Sequence, residues 1–175
     1  MAGTKAKALP GKRFRVMFQD EGRFGRITDP RRCWAPPGIR PVAHSQLVRE
    51  YTYVFAAASP ADGVLDTLIL PEVNSATMSM FLEEVSQRHP EESVLMFLDS
   101  AGWHKSKHLR VPSNIRLSPL PPYSPQLNPV EHLWDEIRKK WFPNKVFHSM
   151  SAVENTLLDS LFALECDPER IRGLM

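Results

Sequence analysis

Five prolines fall within eleven residues of this chain, and this stiff segment constrains the fold more than any other feature. They are Pro119, Pro121, Pro122, Pro125 and Pro129, out of 16 prolines in 175 residues. Proline fixes φ and has no backbone N–H, so neither a helix interior nor a central strand can run through the segment. The dipeptide Asn128-Pro129 is typical of an N-cap followed by the first helical residue. The segment therefore predicts a rigid loop that leads into a helix.

Hydrophobic spacing on either side of this loop predicts a mixed α/β domain. We expect strands at residues 14–20, 51–58, 64–70, 94–98 and 114–118, the second and third forming a hairpin. The predicted helices begin at Asn74 or Ser75, at residue 105 (ending at 110), at Pro129 (ending near Trp141) and at Ser149 or Ser151. The last helix is expected to bury an apolar side made of Val153, Leu157, Leu158, Leu161 and Phe162.

Length and composition fit one folded domain without a membrane span. Of the 175 residues, 42% are hydrophobic and 24% are charged, close to the globular average. No apolar run approaches the ~18–20 residues that cross a bilayer, and the Lys-rich start lacks the apolar core of a signal peptide. Two cysteines are too few for a disulfide scaffold or a Cys-based zinc site. A reduced, soluble, cytoplasmic protein with no membrane partner is the simplest interpretation.

The charge is divided unevenly along the chain. Residues 1–50 hold 11 Lys/Arg and 4 Asp/Glu, a net charge of +7, whereas the remainder carries −5. A basic front half favours a polyanionic partner such as nucleic acid, although a solvated charged face is an equally common origin of such a bias. Candidate DNA contacts are Arg23, Arg26, Arg31, Arg32, Trp34, Arg40, Lys105, Arg138 and Lys139.

Three acids lie at the ends of predicted strands or at the start of a predicted helix. Asp20 is expected to end the first strand, Asp99 ends the most apolar strand, and Glu131 lies in the first turn of the helix after the proline loop. Carboxylates are hard oxygen ligands suited to Mg²⁺. Each acid also has a purely structural interpretation: a strand-end residue for Asp20, a turn for Asp99, and a capping box with Asn128 for Glu131.

The residues around the acids favour the metal-site interpretation. The segments 18–21 (FQDE), 98–104 (LDSAGWH) and 120–134 (LPPYSPQLNPVEHLW) resemble the catalytic domain of DDE transposases, and most of all the bacterial insertion-sequence branch of the mariner-like superfamily. The matching segments run from about residue 14 to about residue 164. The resemblance implies a ribonuclease H-like α/β fold, a mixed sheet flanked by helices, over residues 13–175, with residues 1–12 a basic tail or linker stump.

The resemblance also implies a site and a reaction. Asp20, Asp99 and Glu131 would be the catalytic, metal-binding triad for two Mg²⁺ ions, with Mn²⁺ as a substitute. His104 would lie near the scissile phosphate. Trp34 and Gly38 match a loop that in related transposases embraces the partner subunit or DNA. The reaction would be water attack at a transposon end, followed by attack of the freed 3′-hydroxyl on target DNA, in a homodimer or higher assembly on the bacterial nucleoid.

Two other functions stay open at this point. One is a catalytically silent transposase remnant that only binds DNA or dimerises, and the other is a host nuclease of ribonuclease H-like fold. Family members usually begin with helix-turn-helix domains, and nothing of that kind fits before Phe14. We therefore expect the chain to correspond to the catalytic half of such an enzyme.

Overall fold

The computed structural model describes residues 12–28, 30–122 and 124–175. The elements are, in chain order, β1 (Arg13–Ile27), β2 (Leu47–Ala58), β3 (Leu65–Leu70), α1 (Ser75–Arg88), β4 (Glu92–Leu98), a 3₁₀ turn (Gly102–Lys105), β5 (Ile115–Pro119), a second 3₁₀ turn (Pro125–Leu127), α2 (Val130–Lys140), α3 (Met150–Glu165) and α4 (Pro168–Leu174). Apart from Lys12, the predicted tail at residues 1–12 lies outside the described residues, as do Asp29 and Tyr123.

The five strands form one mixed sheet in the order β3-β2-β1-β4-β5. β1, β2 and β3 are antiparallel neighbours, whereas β1, β4 and β5 run parallel. α1 packs on one face over a core that includes Met17, Phe55 and Met96. α2, α3 and α4 cover the other face, where Trp134 and Leu157 are buried. Both faces of the sheet are therefore covered by helices, as the apolar strand β4 predicted.

β1 is much longer than predicted, and Asp20 lies within it rather than at its end. Its parallel pairing with β4 stops at Phe18, but its antiparallel pairing with β2 continues to Ile27. The glycines in the second half of β1 are typical of a loop, but here they allow close packing between neighbouring elements. A Cβ on Gly25 would lie 2.2 Å from the carbonyl oxygen of Glu50 in β2. The strand needs glycine there because the neighbouring backbone cannot move away.

The helices show both agreement and correction. Asn74 caps α1 through a capping box with Thr77, and Ser149 caps α3, as predicted. The prediction of a helix at residues 105–110 is wrong. The structure has instead a short 3₁₀ turn at Gly102–Lys105. α4 was not predicted, although Asp167-Pro168 is an N-cap followed by a proline at the first turn.

The apolar side of α3 also differs from the prediction. Leu158 and Phe162 are exposed, whereas Leu164 is buried beside Leu157 and Leu161. The spacing of residues 157, 161 and 164 follows the helical period, and residues 158 and 162 lie a quarter turn away from that stripe. Among the described residues, no helix has the length and apolarity needed to cross a lipid bilayer.

Candidate active site

Asp20, Asp99 and Glu131 line one cleft of about 500 Å³. Asp20 comes from β1, Asp99 follows the last residue of β4, and Glu131 lies in the first turn of α2. The walls come from the segment after Asp99 and from the proline loop, and comprise Ser100, Ala101, Leu120, Pro121, Pro122, Ser124 and Asn128. The cleft lies beyond the carboxyl end of β4, which is where open α/β sheets place their ligands.

Asp20 is held by a tryptophan of the core. The Nε1–H of Trp134 donates a 2.7 Å hydrogen bond to Asp20 Oδ2. Burial raises the pKa of Asp20 to about 7, although the hydrogen bond from Trp134 opposes this shift, and the nearby charges of Glu131 and Glu21 add to it. A carboxylate in this position stays ionised more readily if a cation lies beside it.

Asp99 is exposed at the cleft, and its carboxylate has two described polar contacts. Its side chain is 57% exposed. The Oδ1 atom accepts a 2.9 Å hydrogen bond from the backbone N–H of Ala101 and lies 3.0 Å from His104 Nδ1. The turn predicted at this position is therefore present, and it orients the carboxylate without covering it.

Glu131 does not form the predicted capping box. α2 begins at Val130 with Pro129 as its N-cap, one residue later than expected, and the Asn128 Oδ1 atom accepts a 3.3 Å hydrogen bond from the Val130 backbone N–H. Asn128 instead joins the helix entrance to β1, because its Nδ2–H donates to the carbonyl oxygen of Gln19 at 2.9 Å. This bond fixes the start of α2 next to Asp20 and leaves the exposed Glu131 carboxylate in the cleft.

The donor set fits a hard divalent cation. Three carboxylates line the cleft, and the charge of one of them, Glu131, adds to the raised pKa of Asp20. Oxygen ligands of this kind suit Mg²⁺ and Mn²⁺. Within the described residues, no three His, Cys, Asp or Glu side chains converge closely enough to hold one ion in this conformation. The cleft therefore contains the ligand types of a metal site, but its three carboxylates are too far apart in this conformation to bind one ion together.

His104 lies behind the cleft rather than in it. Only 3% of its side chain is exposed, and it is in contact with Glu21 and Asp99. Burial opposes the imidazolium charge, but the hydrogen bond and charge of Glu21 together with Asp99 outweigh it and raise the pKa of His104. His104 thus lies between two carboxylates, and its expected place near a scissile phosphate stays a prediction. The side chain of Lys105 lies outside the described part of the structure.

The structure brings part of the predicted DNA-contact set together. A pocket of about 120 Å³, here called the basic pocket, is lined by the cationic residues Arg23, Arg31 and Arg138, by Lys145, and by Phe24, Gly25, Ile27, Thr28, Phe142 and Phe147. The guanidinium of Arg138 lies over the ring of Phe24, with 5.1 Å between Cζ and the ring centroid. Lys145 was not predicted, since it lies in an unpatterned loop after α2.

The other predicted contacts lie elsewhere. Arg26 is tied into the fold, because it donates to the carbonyl oxygen of Phe147 at 2.9 Å and pairs with Glu50 at 2.8 Å. Lys139 lies 3.6 Å from Asp135 on the exposed side of α2. The segment between β1 and β2 carries the rest: Arg32, Arg40 and the fully exposed Trp34.

Sequence reasoning missed Glu21 and Gln19 as parts of the site. Both side chains lie on the face of β1 opposite Asp20, and the Nε2–H of Gln19 donates to Glu21 Oε1 at 3.1 Å. The alternation of the strand indicates their common face. The other partners of Glu21, Trp103 and His104, come from beyond residue 100 and have no signal in the sequence near Glu21.

Comparison of the fold with solved structures agrees with this geometry. The chain is similar to the mariner Mos1 paired end complex with Mg, at a TM-score of 0.67 and 21% identity over 91% of this chain and 51% of that one. It is also similar to a chain of the simian T-cell lymphotropic virus intasome in complex with PP2A regulatory subunit B56 gamma, at 0.55 and 12% over 87% and 49% of the two chains. The fold is therefore ribonuclease H-like, which confirms the predicted fold class.

Sequence comparisons identify the family. The family described as DDE superfamily endonuclease matches residues 15–154. The chain belongs to that family. It is also 39% identical over 98 residues to the uncharacterized protein y4pE/y4sA of Sinorhizobium fredii (strain NBRC 101917 / NGR234), a match covering 55% of this chain and 73% of that protein. The chain spans about half the length of the Mos1 chains that it matches.

Proposed function

We propose that this chain is the catalytic domain of a DNA transposase, a divalent-metal-dependent endonuclease and strand transferase that acts on transposon ends. The observation that carries the proposal is the shared cleft of Asp20, Asp99 and Glu131, three acids far apart in sequence on three different elements. Membership in the DDE superfamily endonuclease family supports it. Residues 13–175 would form this domain, and its site of action would be the nucleoid of a bacterial cytoplasm.

The three carboxylates would hold the metal, as Mg²⁺ or, in its place, Mn²⁺. A pair of such ions activates a water and stabilises the leaving oxygen during phosphodiester cleavage. The protein's own part is to aim the carboxylates. Trp134 orients Asp20, the Ala101 N–H orients Asp99, and Asn128 sets the helix end that carries Glu131. The proline loop forms one wall of the cleft and can limit how a DNA strand enters.

The basic pocket supports DNA as the partner. Arg138 lies seven residues beyond Glu131 on α2, which is about two turns or ~10 Å along the same helix face. DNA spaces successive nucleotides of one strand by about 3.4 Å along its axis. A strand that crosses the cleft could therefore place a phosphate in the basic pocket about three nucleotides from the cleavage point. The exposed Trp34 and the arginines near it would contact DNA or a second subunit in a dimer.

The test separates a metal ligand from a residue with only a structural role at position 131. Glu131→Gln keeps the hydrogen-bonding capacity of the side chain but removes its charge, which a hard cation requires. We expect the variant to retain the parent's unfolding midpoint and to lose Mg²⁺-dependent cleavage of a duplex that carries inverted-repeat transposon ends. Asp135→Asn is the matched control, since Asp135 is an exposed acid one turn further along the same helix.

Three outcomes would contradict all or part of the proposal. If Glu131→Gln cleaves as fast as the parent, the residue is structural and the assigned triad is wrong. If the parent binds DNA but cleaves nothing with Mg²⁺ or Mn²⁺, the chain is a silent remnant. If the parent cleaves branched junctions in preference to inverted-repeat ends, it is a host nuclease of the same fold.

A further inference from the structure

Glu21 is a carboxylate that the cleft does not use directly. It follows Asp20 in β1, so its side chain points to the opposite face of the sheet. Only 7% of that side chain is exposed. Its Oε1 atom faces three donors: Gln19 Nε2 at 3.1 Å, Trp103 Nε1 at 3.4 Å and His104 Nε2 at 3.1 Å. A carboxylate so enclosed depends on these donors, because a buried charge without partners is costly.

His104 connects Glu21 to Asp99, one of the three acids of the cleft. While Nε2 meets Glu21, the other ring nitrogen, Nδ1, lies 3.0 Å from Asp99 Oδ1 and 3.1 Å from the Asp99 carbonyl oxygen. The imidazole thus spans from a carboxylate of β1 to both the side chain and the backbone of Asp99. Its 3% exposed fraction means that water competes little for these contacts.

Asp99 needs such a connection because the sheet does not fix it against Asp20. The parallel ladder between β1 and β4 ends at the pair Phe18 and Phe97. Past that pair β1 continues beside β2, whereas the chain after Leu98 leaves the sheet for the 3₁₀ turn. The contact between Glu21 and His104 joins the departing segment back to β1, one residue from Asp20.

We propose that Glu21 is a positioning residue that acts through His104 to hold Asp99 at its place opposite Asp20, an inference that rests on the proposed metal-dependent function. Glu21 is not an additional metal ligand. It lies on the far face of β1, it does not line the cleft among the described residues, and its oxygen already faces three donors. Partners that orient metal ligands in this way influence metal affinity without touching the metal.

The experiment measures Mn²⁺ binding to the full chain by calorimetry without DNA. Glu21→Gln and His104→Gln should each weaken Mn²⁺ binding about tenfold to a hundredfold. Glu92→Gln is the control for loss of a partly buried, hydrogen-bonded carboxylate away from the cleft.

A double variant distinguishes positioning from general loss of stability. If Glu21 acts through His104, the Glu21→Gln/His104→Gln variant should bind Mn²⁺ no more weakly than His104→Gln alone. Amide NMR shifts of residues 99–101 should move in Glu21→Gln and stay in place in Glu92→Gln. Additive losses, or parent affinity in both single variants, would overturn the positioning role. If Glu21→Gln fails to fold, parent affinity in His104→Gln overturns it on its own.

If the proposed metal-dependent function is wrong, the Mn²⁺ affinities of the variants will differ from those expected if only the positioning role is wrong. An Asp20→Asn/Asp99→Asn variant should not bind Mn²⁺ at the parent's affinity. If it does, the metal site and the role of Glu21 are both wrong. If the double Asn variant loses binding but the Glu21 and His104 variants keep it, only the positioning role is wrong.

Discussion

Trp134 links the hydrophobic core to the cleft through a single hydrogen bond. Its indole is buried in α2, contacts Phe24 edge-on, and presents its only polar atom to Asp20. The orientation of this acid is therefore set by core packing, which is far stiffer than a surface contact. A substitution in the core can change the ionisation of a cleft residue without touching the cleft itself.

Replacing Trp134 should raise the pKa of Asp20. Trp134→Phe keeps an aromatic ring but removes the N–H that stabilises the ionised carboxylate, so we expect the pKa to move above the value of about 7. Carbon-13 NMR titration of the metal-free protein measures it directly. Trp141→Phe is the control, since that ring lies under Arg170 at the end of the same helix. An unchanged or lower pKa in Trp134→Phe would refute the assigned cause.

Removing the Asp20 charge should stabilise the metal-free protein at neutral and alkaline pH. The folded-state pKa of about 7 exceeds the usual 3.8, so the folded state binds the extra proton and stability falls as pH rises between these values. Asp20→Asn escapes this loss. We expect its free energy of unfolding to match the parent near pH 4 and to exceed it at pH 8 by a few kcal/mol, at about 1.4 kcal/mol per pKa unit.

Urea unfolding at the two pH values checks this expectation, with Asp159→Asn on the exposed side of α3 as the control. Added Mn²⁺ should stabilise the parent and not Asp20→Asn, because only a folded state that binds the ion gains from it. If the difference in the free energy of unfolding between parent and variant does not change with pH, burial of the Asp20 charge is not the cause of the difference.

At the scale of elements, β1 shows how tight packing of glycines extends a strand. A Cβ at Gly22 would lie 2.7 Å from Trp134 Cδ2, so the indole lies directly on the strand backbone. The same close approach brings the Trp134 N–H within reach of Asp20 two residues earlier. The second half of β1 therefore contributes to the site even though it contributes no acid.

Gly22→Ala should destabilise the fold and disturb the site together. The added methyl group has no free space, and overpacking of a core costs about 1–3 kcal/mol. We expect a lower urea midpoint and a shifted Trp134 indole N–H signal in NMR spectra. Gly173→Ala adds the same methyl group within α4, where no atom lies within 4 Å. It should leave the indole signal in place and should not lower the midpoint, since alanine favours a helix more than glycine does. Parent-like stability of Gly22→Ala would mean that α2 can move away from β1.

The start of β4 offers a pH test of a different kind. Hydrogen bonds from Arg15 hold the pKa of Glu92 below its usual 4.5, and His89 lies 3.0 Å away. The stabilisation is present above pH 4.5 and is lost as pH falls through the lowered folded-state value. Glu92→Gln should therefore lower the unfolding midpoint more at pH 7 than at pH 3, whereas Glu91→Gln, an exposed neighbour, should change neither. Equal losses at both pH values would indicate packing rather than charge.

At the scale of the whole molecule, the excess of positive charge near the start of the chain should appear as salt-dependent DNA binding. Phosphate contacts give affinity without base recognition, so transposon-end and scrambled duplexes should bind alike. Arg138→Gln/Lys145→Gln should reduce the slope of log affinity against log salt by roughly two, at about 0.9 per phosphate contact. Arg13→Gln/Arg172→Gln removes the same charge away from the basic pocket and should have little effect. Fluorescence anisotropy over a salt series measures both slopes.

The sequence predicted the order of strands and helices better than it predicted their ends. Alternation and caps suffice for the hairpin, α1 and α3, because those signals are local. The extension of β1 depends on Glu50 and Trp134, which are distant in sequence, so its glycines resembled a loop. The three acids were expected to lie together because the sequence motifs around them resemble those of a known family. The contact of Glu21 with His104 depends on how the segment after β4 folds back towards β1, and no local sequence pattern indicates that.

The central position of β1 has a consequence for how the protein is made. β1 is the first strand to leave the ribosome, yet its two neighbours in the sheet, β2 and β4, begin at residues 47 and 92. Until both have been synthesised, the strand has unpaired edges that can join other chains. The third acid and the indole that orients the first both arrive later still, on α2. A nascent or truncated chain that ends before α2 would therefore carry Asp20 and Asp99 but would lack the third acid of the cleft.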